Sequence, residues 1–311
     1  LPVVLDYIRL LVDDAPGGHD YVGRVLVVDN DPLGSAGPAV ASLAADDVDY
    51  VIEPVPGIAA ARNRALDEST DSTIVVFIDD DETPRPGWLR ELVTTWERHG
   101  SAAVAGRVVP VFAGEVPRWI EAGRFFQRRS LPTGSPVRAA AAGNLLLDVA
   151  QLRALGVRFD ERLGLGGGED TLLTRLIVTR GGVIVWCEES VAEDRVPVER
   201  TTVRWVLTRA WSHGTTTTRV DLILAPTLSR RVVVRAKALL GGIARIAGGA
   251  ARAAAGALVR SDHHSARGLR AVFRGAGMAA GALGVAYHEY ARPTGQRGER
   301  TAGLASPISE E

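Results

Sequence analysis

Four consecutive acidic residues, 79–82, follow the apolar run at residues 74–78. Carboxylates held about 4 Å apart repel one another by about 4 kcal/mol per pair at an effective dielectric constant of about 20, so such a cluster favours a bound cation. Asp79 and Asp81 suit Mg²⁺ or Mn²⁺, because these hard ions prefer oxygen ligands and also bind phosphate oxygens. The alternative is a solvated acidic turn that caps the following helix.

A second acidic pair, Glu169 and Asp170, follows three glycines at residues 166–168. The glycines let the backbone approach a ligand closely, and the first turn of a helix favours a carboxylate. Asp170 is a candidate general base, which would remove a proton from an attacking hydroxyl group. Helix capping is the structural alternative for both acids. The glycines favour a site, because flexible residues weaken a fold and are tolerated mainly at sites.

Strand and helix patterns alternate along the first part of the chain. This order predicts an α/β fold with a mostly parallel sheet flanked by helices, and such sheets bind ligands at the carboxyl ends of their strands. Asp29 and the acidic run both lie at predicted strand ends. The apolar runs and helical periods predict strands over residues 24–30, 48–53 and 74–78 and helices over residues 58–69 and 88–99.

The next part of the chain continues the pattern around a long irregular connection at residues 112–138. Long connections in compact domains are usually functional or mobile. Beyond them, the last predicted strand is followed by a helix that carries two tryptophans. The predicted strands cover residues 102–111, 141–148 and 183–187, and the predicted helices cover residues 149–155, 169–182 and 201–213.

Charge divides the chain into unlike parts. The whole sequence of 311 residues has a formal net charge of -1, which argues against a nucleic-acid partner. Residues 1–221 carry 23 basic and 32 acidic residues, whereas residues 222–292 carry 11 basic and 2 acidic residues. The lone Cys187 and the lack of a signal-peptide pattern favour the cytoplasm. Residues 293–311 have the composition of a disordered tail.

The basic segment at residues 222–292 has two interpretations. Its longest uncharged apolar stretch, residues 275–287, is shorter than the roughly 20 residues that span a bilayer as a helix. Basic helices of moderate hydrophobicity are typical of segments that lie on an anionic membrane surface. The alternative is a helical subdomain that packs its alanines and leucines inward and leaves its arginines solvated.

Five short motifs occur in the order found in family 2 glycosyltransferases of the GT-A fold, and the chain resembles a bacterial member over about residues 5–214. The resemblance implies a GT-A domain over residues 1–221 that lacks its N-terminal strand. Charge and composition add the basic helical segment at residues 222–292 and the tail at residues 293–311. The motifs are VVDN at residues 27–30, GIAAARN at 57–63, FIDDDE at 77–82, GN at 143–144 and FDERLGLGGGED at 159–170.

The resemblance also implies roles for the acids. Asp29 is expected beside the nucleotide base and ribose, and Asp79 and Asp81 are expected to bind the metal that bridges the donor diphosphate. Glu169 and Asp170 are expected to face the acceptor.

Further candidates are assigned less directly. Arg62 and Asn63 either bind the nucleotide or order the pocket. Relatives often place a histidine after the last strand as a further metal ligand, and the candidates here are Glu193 and His213. The remaining residues predicted to bind substrate or nucleotide are Asn30, Asp80 and Gly168.

These observations predict an inverting glycosyltransferase that depends on Mn²⁺ or Mg²⁺ and acts in polysaccharide biosynthesis. It would move a sugar from a nucleotide-diphosphate sugar to a hydroxyl group of a glycan or lipid-linked acceptor. The expected location is the cytoplasmic face of the plasma membrane, with peripheral membrane contact. The alternatives are a metal-dependent nucleotidyl- or phosphotransferase and a degenerate sugar-nucleotide-binding membrane scaffold.

Overall fold

The computed structural model describes residues 23–43, 48–163 and 166–285. The expectation of an absent first strand before Leu1 and the predicted disordered tail at residues 293–311 both lie outside these described residues.

A two-stranded parallel sheet comes first. Strands β1 (Val25–Asp29) and β2 (Val48–Ile52) pair in register, with Val25 opposite Val48 and Asp29 opposite Ile52. The short helix α1 (Gly37–Ala41) lies between them in the chain, and α2 (Ile58–Glu68) follows. Asp29 therefore stands at the carboxyl end of its strand, close to the start of α2.

The main sheet has five strands, in the order β3 (Ile74–Ile78), β6 (Asn144–Asp148), β5 (Ala103–Phe112), β7 (Ile184–Val196) and β4 (Glu82–Pro84). The neighbours β5 and β7 run parallel, and the other three pairs are antiparallel. The predicted α/β class is confirmed, but the strand directions are mixed rather than mostly parallel. The reason is that β6 returns from the long connection against both β3 and β5, and β4 turns back along β7.

The sheet is buried on both faces by helices. Three consecutive leucines of β6 are fully buried and alternate between two hydrophobic clusters. Leu145 and Leu147 pack with Ile177, whereas Leu146 packs with Leu92 on the opposite face. The helices beside the sheet are α3 (Trp88–His99), α5 (Val149–Leu155) and α6 (Glu169–Thr179), and α4 (Arg118–Gly123) lies in the long connection.

The last strand is longer than predicted. β7 extends to Val196, because its pairing with β5 shifts between Gly106 and Arg107 and resumes at Val191. The second half of β7 alternates buried and exposed residues, a pattern that differs from the continuous apolar run predicted at residues 183–187. The three-residue strand β4 was also missed.

Three helices end the described chain: α7 (Val203–Leu224), α8 (Leu228–Leu258) and α9 (Asp262–Ala282). Helices α8 and α9 form an antiparallel hairpin with very close backbones. A Cβ atom at Gly242 would lie 2.7 Å from the Gly275 carbonyl oxygen, and one at Gly249 would lie 2.7 Å from the Gly268 carbonyl oxygen. None of the described helices combines the length and the apolar composition that crossing a bilayer requires.

Many of the larger apolar side chains of the long helix α8 are exposed. Its buried residues are small, namely Ala238, Gly242, Gly249 and Gly256. The expectation of a subdomain that packs leucine inward therefore differs from the structure, because glycine and alanine fill the seam with α9. The exposed apolar residues of α8 are Leu228, Val232, Val233, Leu240, Ile243 and Leu258.

Candidate active site

Arg62 joins the two acidic groups that the sequence singled out. Asp79 directly follows β3, Glu169 begins α6, and Arg62 projects between them from α2. Its Nη2 lies 3.0 Å from Asp79 Oδ1, and its Nη1 lies 2.5 Å from Glu169 Oε1. The side chains of Arg62 and Glu169 are only 9% and 4% exposed. The two acidic groups thus lie at one site.

Burial and charge perturb the titration of these groups. Burial raises the pKa of Glu169 to about 7, and the neighbouring Asp170 adds to the rise, while Arg62 opposes it. Burial lowers the pKa of Arg62, but Asp79, Glu169 and Asp170 together outweigh this effect and raise it. The guanidinium group therefore stays charged, and its position fixes the spacing of the two carboxylates.

Glu82, the last residue of the acidic run, is buried, and its carboxylate lies near that of Asp79, beside Gly143. Burial raises the pKa of Glu82 to about 9, with further contributions from the charges of Asp79 and Asp194. Within the described part of the chain, its Oε2 atom has no hydrogen-bond partner. A Cβ atom at Gly143 would lie 2.7 Å from Glu82 Oε1 and 2.9 Å from Asp79 Oδ2, so only glycine fits beside these carboxylates.

The remaining acids of the run differ in their surroundings. Burial, together with Asp81 and Asp170, raises the pKa of Asp79 against the opposing effect of Arg62. Asp81 Oδ2 accepts a hydrogen bond from Arg200 Nη1 at 3.0 Å, and Asp80 is exposed. Asp79, Asp81 and Glu82 supply only carboxylate oxygens, which are the donors that Mg²⁺ and Mn²⁺ prefer. Among the described residues, no group of three or more His, Cys, Asp or Glu side chains is placed to hold a metal ion.

The two additional candidate metal ligands lie among arginines. Glu193 is inside β7, not after the last strand, and its Oε1 accepts a hydrogen bond from Arg85 Nε at 2.8 Å. His213 is on α7, where desolvation and then the charges of Arg209 and three further arginines lower its pKa to about 4. Neither environment favours a cation.

A second part of the site is a cleft between β1 and α2. Asp29 is buried, and its Oδ2 accepts hydrogen bonds from the Ala36 amide and the Tyr50 hydroxyl, both at 2.8 Å. Asn30 donates to the Glu53 carbonyl oxygen at 2.9 Å and accepts from the Gly57 amide at 2.8 Å. The cleft encloses about 400 Å³ and is lined by Asp29, Asn30, Asp31, Pro56, Gly57, Ile58 and Ala61.

Comparison with known proteins decides the family. Residues 6–154 match the family model described as glycosyl transferase family 2. This segment belongs to glycosyl transferase family 2. The match spans β1 to α5 and includes Asp29, Arg62 and the acidic run, so it confirms the family predicted from the motifs.

Curated proteins extend the similarity beyond this segment. The succinoglycan biosynthesis protein ExoM of Rhizobium meliloti (strain 1021) is 35% identical over 196 residues, which are 62% of this chain and 63% of ExoM. The pre-mycofactocin glycosyltransferase of Mycobacterium tuberculosis (strain CDC 1551 / Oshkosh) is 40% identical over 98 residues, 30% of this chain and 20% of that protein. The chain therefore spans less than two thirds of the length of either relative.

Solved structures show a more distant likeness to this chain. GalNAc-T7 with UDP, GalNAc and Mn²⁺ is 13% identical, with a TM-score of 0.48, over 69% of this chain and 48% of that one. S. aureus TarS 1–349 in complex with UDP is 17% identical, with a TM-score of 0.47, over 91% of this chain and 88% of that one.

Asn63 and Gly168, which the sequence predicted to bind substrate or nucleotide, contact other parts of the protein around this site. Asn63 is buried and exchanges hydrogen bonds with the Phe159 backbone, donating at 3.0 Å and accepting at 3.1 Å. Gly168 precedes α6 in a left-handed conformation with φ of 95°, and a Cβ atom there would lie 2.2 Å from Thr216 Cγ2. Asp170 is half-buried in the first turn of α6, where its Oδ1 accepts from the Thr171 amide at 2.5 Å.

Sequence reasoning missed Glu82 and Arg200. Glu82 belongs to the acidic run, but the run alone does not reveal that its fourth member turns inward. The glycine at residue 143 was the available signal, because a residue without a side chain leaves room for carboxylates. Arg200 had no local signal, since its contact with Asp81 joins residues that are far apart in the chain.

Proposed function

We propose that the chain is a glycosyltransferase that moves a sugar from a nucleotide-diphosphate sugar to a hydroxyl group of an acceptor with inversion. The observation that carries the proposal is the junction at Arg62, which holds Asp79, inside the segment that matches family 2, and Glu169, beyond that segment, at one site. The names of the curated relatives, a succinoglycan biosynthesis protein and a glycosyltransferase, support this activity.

The cleft between β1 and α2 suits the donor nucleotide. Its wall carries Asp29, a hydrogen-bond acceptor for ribose hydroxyls, and it lies beside Gly57 at the amino end of α2. Helix amino ends favour anions, because their amide groups and dipole are positive. We assign Asn30 the ordering of this cleft, because its amide side chain ties β1 to the start of α2.

Asp170 serves as the general base in this proposal. Its half-buried carboxylate is free of the Arg62 ion pair, whereas the Glu169 carboxylate is buried and held by that arginine. The acceptor hydroxyl passes its proton to Asp170 as its oxygen bonds to the anomeric carbon. The bond between that carbon and the diphosphate oxygen breaks on the opposite face, so the anomeric configuration inverts. Glu169 positions Arg62.

The carboxylates of residues 79–82 fit a divalent cation. Glu82 Oε2 has no partner, and burial beside other acids raises the pKa of both Asp79 and Glu82, an arrangement that a cation would relieve. We propose Asp79 and Asp81 as the residues that hold Mn²⁺ or Mg²⁺, with Glu82 behind them. When bound, the ion would stabilise the negative charge that develops on the leaving diphosphate.

The experiment is a screen of sugar nucleotides for release of nucleoside diphosphate with Mn²⁺ or Mg²⁺. Asp81→Ala and Asp170→Asn should each reduce turnover by about 100-fold or more, because each removes a group that acts in the transition state. Asp71→Asn, an exposed acid after α2, should turn over as the unaltered chain does. Unchanged turnover in both site variants would overturn the assignment.

Product analysis separates the alternatives. A nucleotidyltransferase would release pyrophosphate instead of a nucleoside diphosphate. A sugar-nucleotide-binding scaffold would bind the donor tightly in calorimetry without any transfer or hydrolysis in the presence of acceptor lipid. The glycosyltransferase proposal requires that nucleoside diphosphate and glycosylated acceptor form in equal amounts.

We propose in addition that the basic segment at residues 222–292 contacts the cytoplasmic face of the plasma membrane, where a lipid-linked acceptor would be presented. The outward face of α8 supports this contact, because Leu240 is 69% and Ile243 is 59% exposed. Between Lys237 and Arg260 the only charged residues are Arg245 and Arg252, which are seven positions apart and so share one side of the helix. An apolar face with flanking arginines is typical of helices in an anionic interface.

Flotation of the full chain with vesicles that contain phosphatidylglycerol tests the membrane contact. The double variant Leu240→Glu/Ile243→Glu should reduce the bound fraction by about tenfold or more, because two exposed apolar side chains that would enter the membrane interface become charged. Leu33→Glu is the matched control, since Leu33 is 90% exposed but far from α8 in the sequence. Equal flotation of the double variant and the control would contradict the proposed contact.

A further inference from the structure

Helices α7 and α9 pack so closely that their side chains form a shared surface. A Cβ atom at Gly214 of α7 would lie 2.2 Å from the Arg274 carbonyl oxygen, and one at Gly277 of α9 would lie 2.0 Å from the Trp211 carbonyl oxygen. Arg274 is therefore adjacent to the α7 turn that carries His213. Arg270 and Arg209 lie one helical turn before Arg274 and His213 on their respective helices.

The charges of four arginines act on His213, and we call them the arginine cluster: Arg128 from the connection between β5 and β6, Arg209 from α7, and Arg270 and Arg274 from α9. Arg270 is held in place, because its Nη1 donates to the Arg124 carbonyl oxygen at 2.9 Å and its guanidinium carbon lies 5.5 Å from the centre of the Phe125 ring. Neither of these partners carries a charge. The position of Arg270 is thus fixed while its positive charge is not neutralised by them.

Burial and mutual repulsion both act on the groups of this region. Desolvation is the largest of the causes that lower the pKa of His213 to about 4, and the charges of the four cluster members contribute to this shift. Burial likewise lowers the pKa of Arg270, followed by the charges of Arg274 and Arg267. A bound anion would relieve this repulsion.

The arginine cluster borders the acidic site. Arg128 comes from the connection between β5 and β6 and forms an ion pair with Asp194 on β7. Asp194 is the register partner of Glu82, which lies behind Asp79. The cluster therefore extends from the carboxylates of the site to the C-terminal helices, whereas the proposed nucleotide cleft lies at β1 and α2.

We propose that the arginine cluster binds a phosphate group of the acceptor, so that the acceptor is a phosphate-bearing molecule. Guanidinium groups form paired, charge-assisted hydrogen bonds to phosphate, and several together select a group with more than one negative charge. The acceptor is favoured over the donor because α9 packs against α8, the helix assigned to the membrane. This inference rests on the proposed function.

The test uses His213 as a reporter in the full chain. Nuclear magnetic resonance titration of its ring, assigned with His213→Gln, should show that inorganic pyrophosphate without metal raises the pKa of His213 by about one unit or more. The double variant Arg270→Gln/Arg274→Gln should bind pyrophosphate at least about tenfold more weakly. Arg230→Gln/Arg245→Gln on α8 is the matched control, and it should bind as the unaltered chain does.

Three outcomes would overturn the proposal. They are an unchanged affinity of the double variant, equally tight binding of inorganic sulfate, and displacement of pyrophosphate from His213 by a nucleoside diphosphate, which would assign the cluster to the donor. A short-chain prenyl diphosphate that shifts His213 as pyrophosphate does would support an acceptor lipid. Asp81→Ala should keep the pyrophosphate response, so a failure of the glycosyl-transfer proposal remains distinguishable from a failure of this one.

Discussion

At the scale of single residues, Arg62 determines how the site is assembled. It is nearly inaccessible, and it contacts one acid after β3 and another at the start of α6. A buried guanidinium group with two carboxylates is costly to desolvate but also costly to disrupt, because removal of one partner leaves buried charges without compensation. The same residue therefore links stability of the fold to the geometry of the site.

We expect Arg62→Met to lower the free energy of unfolding by about 3 kcal/mol and to abolish turnover, because Glu169 would be left without its cation. Arg62→Lys should retain only part of the stability, since an ammonium group does not reproduce the two-pronged contact. Chemical denaturation and release of nucleoside diphosphate measure the two effects. Arg64→Met, which removes a half-buried arginine of the same helix that forms an ion pair with Glu68, should cost less than about 1 kcal/mol. An equal loss in both variants would contradict the argument.

The raised pKa of Glu169 predicts a pH-dependent penalty. The folded state binds its proton up to about pH 7, whereas the unfolded chain releases it near pH 4.5. The stability of the chain therefore falls as pH rises from about 4.5 to 7 and stays lower above this range. Glu169→Gln cannot ionise, so it escapes this loss. From pH 4.5 to pH 8, the free energy of unfolding of the variant should therefore rise relative to that of the unaltered chain by up to about 3 kcal/mol.

Urea denaturation at both pH values checks this expectation. Glu121→Gln, an exposed residue of α4, controls for general effects of the substitution. A stability difference between Glu169→Gln and the unaltered chain that does not change with pH would mean that Glu169 is ionised in both states over the whole range.

At the scale of elements, the turn before α6 is fixed by packing as well as by its backbone. Gly168 has a φ of 95° and faces Thr216 of α7, whereas Gly181 has a nearly equal φ of 93° and nothing within 4 Å of its Cβ position. We expect Gly168→Ala to cost about 2 to 3 kcal/mol and Gly181→Ala about 1 kcal/mol, because only the first adds a collision to backbone strain. Thermal unfolding measures both values, and equal losses would show that Thr216 moves aside freely.

The elements also show how much the sequence reveals. Helices α2, α3 and α5 were predicted within one residue, because glycines or a capping acid define their ends and local periodicity defines their bodies. The second half of β7 and all of β4 were missed, since their polar residues are stabilised by strand pairing between distant parts of the chain. For the same reason the sequence identified Asp79 and Glu169 but not the inward turn of Glu82.

At the scale of the whole molecule, α9 connects the C-terminal helices to the rest. It contacts α8, α7 and α4, and its contact with α4 includes a hydrogen bond from Trp119 Nε1 to Ser265 Oγ at 3.3 Å. These packing contacts form mostly over glycine and alanine, so dispersion between close backbones replaces the burial of large side chains. Such a seam tolerates added atoms poorly.

The same substitution at two glycines should therefore have opposite effects. In Gly214→Ala the new methyl group would lie 2.2 Å from the Arg274 carbonyl oxygen, a backbone atom that moves only if α9 moves, so we expect a loss of about 2 kcal/mol or more. In Gly248→Ala the methyl group has nothing within 4 Å, and the higher helix propensity of alanine should add up to about 1 kcal/mol. Denaturation compares the two variants, and limited proteolysis of residues 225–285 reports whether the hairpin loosens.

Because Arg270 and Arg274 lie on α9, Gly214→Ala should also weaken pyrophosphate binding at His213, and Gly248→Ala should leave it unchanged. A stable Gly214→Ala variant with normal pyrophosphate binding would show that the arginine cluster does not depend on the packing of α7 against α9.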